Sequence, residues 1–298
     1  MMIENFKIDG WTLFSQRRNS LSYFSSDKKW VLKTSGKEGE MTLERCLKNY
    51  ETTKYLSQLG VPTPEVKDVI RLENGQYGII YQCIPDKKSL SRAMAEDPSL
   101  IAPYMTRFAK MAKKLHSIKA DSKSKILIDY KTELKDLLLQ NKIYRTDQKD
   151  ALLEILENTE NSDFCVHGDL NPSNVIIGNN EAYFIDLDTF GYGSPMFDLC
   201  FFAALTTSEC KFDRAGTNIF KCPKEQYMTY WDYFAVEYFG TTDKDELQRK
   251  KVLIIPYMFL LSLLFNKRMG GSGEKVNIDN AEFRIDPALE RYRAVKNL

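Results

Sequence analysis

Histidine is nearly absent from this chain, and its cysteines are scattered. There are two histidines and six cysteines, and no two cysteines have the CxxC spacing. Because a structural zinc site needs four closely placed thiolate or imidazole ligands, the sequence excludes one. An excess of either charge is also absent, since 42 lysines and arginines face 41 aspartates and glutamates, for a net charge of +1. Nucleic-acid-binding proteins carry a basic field, so we predict no nucleic-acid partner.

The sequence shows no segment from which we would expect export or membrane anchoring. Residues 1–5 have neither the basic nor the apolar region of a signal peptide. The apolar run at 252–265 has fourteen residues and contains Pro256. As a helix it would reach about 21 Å, less than the ~30 Å of a hydrocarbon core. We predict a buried helix, kinked or started at Pro256, and no membrane partner. Free thiols are typical of a reducing compartment, so the predicted location is cytoplasmic.

The densest set of chemically reactive residues lies between positions 167 and 186. His167-Gly168-Asp169 is followed by Asn174, and Asp186 comes twelve residues later. This pattern is typical of phosphoryl transfer, where a carboxylate takes the proton of a hydroxyl. Magnesium prefers oxygen ligands, which an asparagine and a second aspartate supply. Asp169 is the candidate catalytic base, and Asn174 and Asp186 are the candidate magnesium ligands.

A β-hairpin is predicted between the two candidate magnesium ligands. The runs 175–177 and 182–185 are apolar and β-prone, and residues 178–181 supply turn residues. Pairing centred on Asn180 places Asn174 opposite Asp186. Because paired strands lie ~5 Å apart, both oxygens would then reach one cation.

The block from His167 to Asp198 resembles the superfamily of aminoglycoside phosphotransferases and choline kinases, whose signature is His-Gly-Asp, a nearby Asn and Ile-Asp-x-Asp. The resemblance implies an α+β, two-lobed, protein-kinase-like fold, with a small β-rich N-terminal lobe and a larger, mostly helical C-terminal lobe. It implies that Asp169 is the base and that Asn174 and Asp186 bind Mg²⁺. It also implies that Asp198 opens a helix and braces the catalytic loop. We predict supporting roles for Asp188 and for His167, because Asp169 already takes the position of the base.

The sequence pattern agrees with two lobes. We predict a nucleotide-binding lobe at 1–84, and a second lobe at 85–298 with the catalytic segment at about 164–200 and a helical substrate-binding region. In the first lobe we predict a hairpin around 25–28, a helix at about 42–59, and strands at 66–72 and 77–83 around Asn74-Gly75. In the second we predict helices at 101–115, 130–140 and 147–158. His116 is predicted to be packed and hydrogen-bonded, with a functional role as the alternative.

The resemblance assigns nucleotide contacts to the first lobe. Lys33 ends a predicted strand and would contact the phosphates of ATP or GTP; a lysine on a strand surface is the alternative. The family pairs this lysine with a glutamate on the next helix. The aligned position here is Asn49, so Glu51 is the predicted partner and Glu44 its neighbour.

The phosphate-covering loop at residues 15–20 contains no glycine, which departs from the family pattern. Ser20 would donate a hydrogen bond to a phosphate and Arg18 would add charge; a poorly closing loop is equally admissible. Backbone groups from Gln82 to Ile84 resemble the hinge on which the adenine rests. The predicted cofactors are therefore Mg²⁺ and ATP or GTP.

The predicted function is transfer of the γ-phosphate of ATP or GTP to a hydroxyl of a small molecule, which is an aminoglycoside, choline or ethanolamine, or a sugar-like compound. The alternative is a degenerate kinase-like fold that binds a nucleotide or a partner without catalysis, which the glycine-free loop favours. A protein kinase is disfavoured, because the stretch between Asp186 and Asp198 is short for a peptide-docking segment. The sequence assigns neither an oligomeric state nor a preference between ATP and GTP.

Two groups of residues bear on the acceptor. The aromatic side chains at 227–239 would form a cation–π cage for a choline-like head group, or would pack an amphipathic helix into the core. An aminoglycoside would need carboxylates, and the candidates, which are solvated in the other interpretation, are Glu237, Asp243, Asp245 and Glu246.

Overall fold

The computed structural model describes residues 5–17, 20–35, 41–178, 180–206, 219–268 and 285–296. The chain forms two compact units. The first comprises Met1–Ser89 and Val175–Asp188, and the second Leu90–Asn174 and Thr189–Leu298. The domain division at residue 84 stays a prediction. Arg18 and Cys210 lie outside the described residues.

The first unit contains a six-stranded sheet in the order β1-β5-β6-β4-β3-β2, in which only the β1–β5 pair is parallel. Its strands and the helix that packs on it are β1 (Asn5–Phe6), β2 (Thr12–Arg17), β3 (Ser20–Phe24), β4 (Trp30–Thr34), α1 (Leu43–Gln58), β5 (Val66–Leu72) and β6 (Tyr77–Gln82).

Helix α1 begins and ends where local chemistry places it. The side chain of Thr42 accepts the N–H of Arg45 and caps the N-terminus. Gly60 has φ +76°, a left-handed conformation that favours glycine and stops the helix. Cys46 of α1 is buried against Val69 and Ile79 of the sheet. The helix predicted at about 42–59 is confirmed, because both of its end signals are local.

A second, three-stranded sheet of this unit has the order β11-β10-β7, from β7 (Lys88–Ser89), β10 (Val175–Gly178) and β11 (Glu181–Phe184). The predicted hairpin is confirmed, but its register is one residue away from the prediction. Val175 pairs with Phe184 and Gly178 with Glu181, which leaves a two-residue connection. Two-residue loops match the twist of paired strands. The predicted pairing of Asn174 with Asp186 is therefore wrong.

The second unit is mostly helical. Its small sheet has the order β8-β12-β9, from β8 (Ile128–Asp129), β9 (Cys165–Val166) and β12 (Gly191–Tyr192). Its described helices are α2 (Leu90–Glu96), α3 (Ile101–Leu115), α4 (Tyr130–Gln140), α5 (Thr146–Asn158), α6 (Met196–Leu205), α7 (Lys224–Tyr227), α8 (Tyr230–Phe239), α9 (Lys244–Ile254), α10 (Tyr257–Arg268) and α11 (Ile285–Val295). The helices predicted at 101–115, 130–140 and 147–158 are confirmed.

The apolar run at 252–265 is divided between two helices. Helix α9 ends at Ile254 and α10 begins at Tyr257, on either side of Pro256. Proline has no N–H and clashes with the preceding turn, so a helix starts there more readily than it continues. Residues 257–264 of α10 are buried, as predicted. Among the described residues, no helix combines the length and apolar character that a membrane span requires.

Candidate active site

The buried carboxylate of Asp198 holds the candidate catalytic loop of the second unit, residues 167–169. It lies in the first turn of α6 and is 1% exposed. Its two oxygens accept the backbone N–H groups of His167 at 2.7 Å and Gly168 at 2.6 Å. The ring of His116 lies 2.9 Å from Asp198 through Nε2, and 2.7 Å from the hydroxyl of Tyr238 through Nδ1. A buried carboxylate needs such partners to offset its lost hydration. The predicted brace is confirmed, and so is the packing of His116.

Gly168 occupies a position that no other residue fits. Its φ is +79°, and a Cβ there would lie 1.6 Å from the hydroxyl of Tyr130. That hydroxyl donates to the carbonyl of Thr189 at 2.7 Å, and the Thr189 hydroxyl donates to the carbonyl of His167 at 2.9 Å. The imidazole of His167 is buried, and its Nδ1 accepts the N–H of Asp169. His167 is therefore a brace of the loop, as predicted.

Two side-chain amides orient the carboxylate of Asp169. Asn171 donates to Oδ1 at 3.0 Å, and Asn174 donates to Oδ2 at 2.9 Å. Each amide also donates to the backbone carbonyl of Asp169, at 3.1 and 2.9 Å. Both carboxylate oxygens are thus held in place by neutral donors. Asn171 is a residue of the candidate site that sequence reasoning missed, although an asparagine two residues after the candidate base is a signal for such local hydrogen bonding.

The chemistry of the predicted metal ligands fits magnesium. Because the NH₂ group of Asn174 faces Asp169, its amide oxygen points away as a ligand. The side chain of Asp186 is 43% exposed, so its carboxylate is accessible. No cluster of three or more His, Cys, Asp or Glu occurs in the part of the chain that the structure describes. Magnesium does not need one, since it is commonly bound by one or two protein oxygens together with water and phosphate.

In the first unit, Lys33 and Asp186 form an ion pair. Lys33 lies on β4, and its Nζ is 2.6 Å from Oδ1 of Asp186. Asp186 follows β11 and has φ +59°. A left-handed aspartate is uncommon, and such outliers concentrate at functional sites. The structure therefore brings together a predicted phosphate ligand and a predicted metal ligand.

Asp188 is paired with a residue of α1. The guanidinium of Arg45 donates to Oδ2 of Asp188 at 2.6 Å. The strand does not continue to Asp188, because a 3-10 turn (Leu187–Thr189) follows Asp186. Sequence reasoning missed Arg45. Its signal was a cation in the first turn of a helix, where the helix dipole disfavours positive charge.

The partner predicted for Lys33 on α1, Glu51, is exposed, and so is its neighbour Glu44. The pairing of Glu51 with Lys33 stays a prediction. The phenol of Tyr81, on β6, is another group of this unit that the nearby carboxylates influence. Burial raises the pKa of Tyr81 above its usual range, and the charges of Asp188 and Asp186 raise it further. Tyr81 thus stays neutral beside the two ion pairs.

The other predicted nucleotide contacts lie in the first unit. Ser20 begins β3 and pairs with Arg17. Gln82 ends β6; its backbone N–H donates to the carbonyl of Glu65 at 2.7 Å, and its side-chain oxygen accepts the N–H of Glu65 at 3.2 Å. Ile84 is buried. A hinge role for this segment stays a prediction.

Most aromatic residues at 227–239 pack into the second unit. Tyr227, Tyr230, Trp231 and Phe234 are buried. Lys251 lies 5.3 Å from the ring of the buried Trp231, whereas Tyr233 is 45% exposed. The interpretation as core is confirmed for the four buried residues.

The carboxylates considered for an aminoglycoside lie partly at the start of α9. Asp243 caps this helix by accepting the N–H groups of Asp245 and Glu246. Acidic residues in a first helical turn are stabilised by the helix dipole, so their positions have a local reason.

Comparison with known proteins agrees with this geometry. A model of the phosphotransferase enzyme family matches residues 10–220. A choline/ethanolamine kinase family protein from Mesorhizobium loti has a TM-score of 0.56 at 15% identity, covering 96% of this chain and 91% of its own. The streptomycin–ATP–APH(2″)-IIa ternary complex has a TM-score of 0.55 at 17% identity, covering 95% and 93%. The gentamicin–APH(2″)-IIa complex has 0.54 at 15%, covering 95% and 93%. No curated protein matches the chain.

At these identities the structural likeness shows the fold alone, and it confirms the predicted α+β kinase-like fold class. The family model is more specific, because it spans well over half of the 298 residues and includes Asp169 and Asp186. The chain therefore belongs to the phosphotransferase enzyme family, and the prediction of an enzyme that transfers phosphate to a hydroxyl group is confirmed.

Proposed function

We propose that this protein transfers the γ-phosphate of ATP or GTP, with Mg²⁺, to a hydroxyl of a small molecule that is an aminoglycoside, choline or ethanolamine, or sugar-like. The observation that carries the proposal is the carboxylate of Asp169, with both oxygens held by Asn171 and Asn174. Support also comes from similar structures, which are complexes of aminoglycoside phosphotransferases with gentamicin, with streptomycin and ATP, and with GDP.

Asp169 acts as the base in this proposal. Phosphoryl transfer has a loose transition state, so the attacking hydroxyl loses its proton late and positioning matters more than basicity. An oxygen of Asp169 accepts the hydroxyl and orients it toward the phosphorus. The amides of Asn171 and Asn174 prevent the carboxylate from rotating away.

Asn174 and Asp186 would hold the magnesium ion, which would neutralise charge on the phosphates. Lys33, which is paired with Asp186 in this structure, would donate to the phosphates. Ser20 adds a hydrogen-bond donor at the β2–β3 hairpin, and the backbone from Gln82 to Ile84 binds the purine ring of the nucleotide. Glu51, which is exposed on α1, remains the proposed glutamate partner of Lys33.

The experiment is thermal unfolding of the wild type and of Asp186→Ala with ATP or GTP, with and without magnesium. A ligand at 100 times its Kd adds about 2.7 kcal/mol of stability. We expect a magnesium-dependent rise in the melting temperature of the wild type that Asp186→Ala loses. Asp9→Ala is the matched control, because Asp9 is an exposed carboxylate of the same unit.

Acceptors are then compared by nucleoside diphosphate release with gentamicin, choline and ethanolamine. Release that depends on one acceptor identifies the substrate class. A wild type with no magnesium-dependent shift at millimolar nucleotide contradicts the proposal and favours a fold that binds without catalysis.

A further inference from the structure

The two aspartates after β11 are each bound by a cation from a different element of the first unit. Lys33 comes from the sheet and Arg45 from α1, and both ion pairs measure 2.6 Å. Asp186 and Asp188 are two residues apart in a stretch of irregular backbone, formed by a left-handed residue and a 3-10 turn. The stretch lies beyond the end of β11, and the two ion pairs contribute to its positioning.

Arg45 can position this stretch, because the turn of α1 that carries it is held firmly against the sheet. The adjacent Cys46 is fully buried against the sheet, and Thr42 caps the same turn. Burial raises the pKa of the Cys46 thiol to about 11, while Arg45 lowers it and Asp188 raises it. Both charges therefore lie close to the buried start of the helix.

The helix dipole opposes a cation at this position. An arginine in a first turn is therefore less stable there than a neutral residue. The ion pair with Asp188 offsets this cost. The helix thus supplies a cation to the 186–188 stretch.

We propose that Arg45 is a positioning residue of the magnesium–nucleotide site, which acts by fixing Asp188 and thereby the orientation of Asp186. This inference rests on the proposed function, because it takes Asp186 to be a magnesium ligand. Arg45 acts through its ion pair with Asp188.

The effect is moderate and sensitive to salt. The side chains of Arg45 and Asp188 are 53% and 32% exposed, and pairs of this kind contribute about 0.2–1 kcal/mol. Loss of Arg45 therefore weakens magnesium–nucleotide binding by about 1.4- to fivefold. High salt screens the pair, so the difference between variant and wild type becomes smaller.

The experiment is a set of equilibrium titrations with a fluorescent ATP analogue at fixed magnesium, at low and high salt. The variants are Arg45→Gln, Asp188→Asn, the double variant and Arg45→Lys. Lys54→Gln is the matched control, since Lys54 is a cation of the same helix that lies over the ring of Tyr50. Circular dichroism establishes that each variant is folded.

We expect both single variants to weaken binding to the same extent, the double variant to be no weaker than either, and Arg45→Lys to restore part of the affinity. In turnover, KM for the nucleotide rises and kcat changes little. If Asp188→Asn alone fails to fold, the comparison of Arg45→Gln with Arg45→Lys and Lys54→Gln carries the test.

Two results overturn the inference alone. The first is a nucleotide affinity of Arg45→Gln equal to that of Lys54→Gln, while the wild type shows magnesium-dependent binding. The second is a loss of affinity in the double variant that equals the sum of the two single losses, which would mean that Arg45 contacts the nucleotide itself. A wild type that binds no nucleotide, or an Asp186→Ala variant that binds normally, overturns the proposed function as well.

Discussion

The four carboxylates considered for the site are held by three kinds of donor. Asp198 accepts backbone N–H groups and lies against an imidazole, whereas Asp169 accepts two amides. Asp186 and Asp188 form ion pairs with a lysine and an arginine. Backbone and amide donors have fixed geometry and suit groups that must not move. Lysine and arginine side chains are flexible and can exchange one anion for another, which suits a segment that receives a charged ligand.

Asp169→Asn tests the base. The substituted amide cannot accept a proton, so turnover falls by about 10²–10⁴-fold. One carboxylate oxygen also becomes an NH₂ group, which faces the NH₂ of Asn171 or Asn174 and loses a hydrogen bond. Nucleotide binding with magnesium is retained, which separates this variant from Asp186→Ala.

The measurement is acceptor-dependent diphosphate release together with the magnesium-dependent melting shift. Asp150→Asn serves as the control, because Asp150 is an exposed carboxylate of the second unit. Turnover of Asp169→Asn at the wild-type rate would be incompatible with the assignment of the base.

At the scale of elements, the catalytic loop is fixed between short strands and helix starts. It follows β9, and the start of α6 supplies Asp198, while α4 supplies Tyr130. The close approach of these elements requires Gly168, whose missing side chain leaves room for the Tyr130 hydroxyl. The loop geometry is therefore a property of packing between elements that are distant in sequence.

Gly168→Ala is expected to destabilise the second unit severely. The added Cβ would lie 1.6 Å from Tyr130 Oη and 2.7 Å from the Thr189 carbonyl, and the backbone would also carry the cost of a left-handed alanine, about 1–2 kcal/mol. Gly240→Ala is the matched control, because Gly240 has φ +71° with nothing within 4 Å of its Cβ position.

Thermal unfolding compares the two variants. The control should lose only the backbone cost, a few degrees at most, while Gly168→Ala should lose considerably more together with its activity. Equal melting temperatures would show that the loop adapts to a side chain.

For the whole molecule, buried thiols and phenols set the response to alkaline pH. Burial raises the pKa of the Cys165 thiol to about 12, and the charge of Asp198 raises it further. Burial also raises the pKa of the Tyr144 phenol to about 12, and that of Cys46 to about 11. These groups stay neutral in the folded chain and ionise more readily once unfolded.

The sign of the pH dependence follows from these shifts. Below about pH 9 the thiols are neutral in both states and the full stability is present. As pH rises from 9 toward 12, the unfolded chain releases protons that the folded chain retains, so the free energy of unfolding decreases. Melting midpoints between pH 8 and 11 measure this. Cys165→Ala should reduce the slope, and midpoints that stay constant up to pH 11 would contradict the assigned burial.

Local signals predicted the elements well. Thr42 and Gly60 bound α1, Gly75 with φ +81° turns the β5–β6 hairpin, and Pro256 separates α9 from α10. The predicted β10–β11 register differs from the observed one by one residue. A two-residue turn and a wider turn have similar sequences, but changing from one to the other shifts every residue pair of the hairpin.

The sequence by itself determined the family, the order of the elements and the candidate base and metal ligands, because these depend on residue type and short spacing. Only the tertiary structure decided the partners of the charges. It placed Arg45 on Asp188 and Lys33 on Asp186, and it left Glu51 exposed. More than 140 residues separate the members of each ion pair. A pattern along the chain carries no information on which of several exposed charges the folded sheet and helix bring within 3 Å.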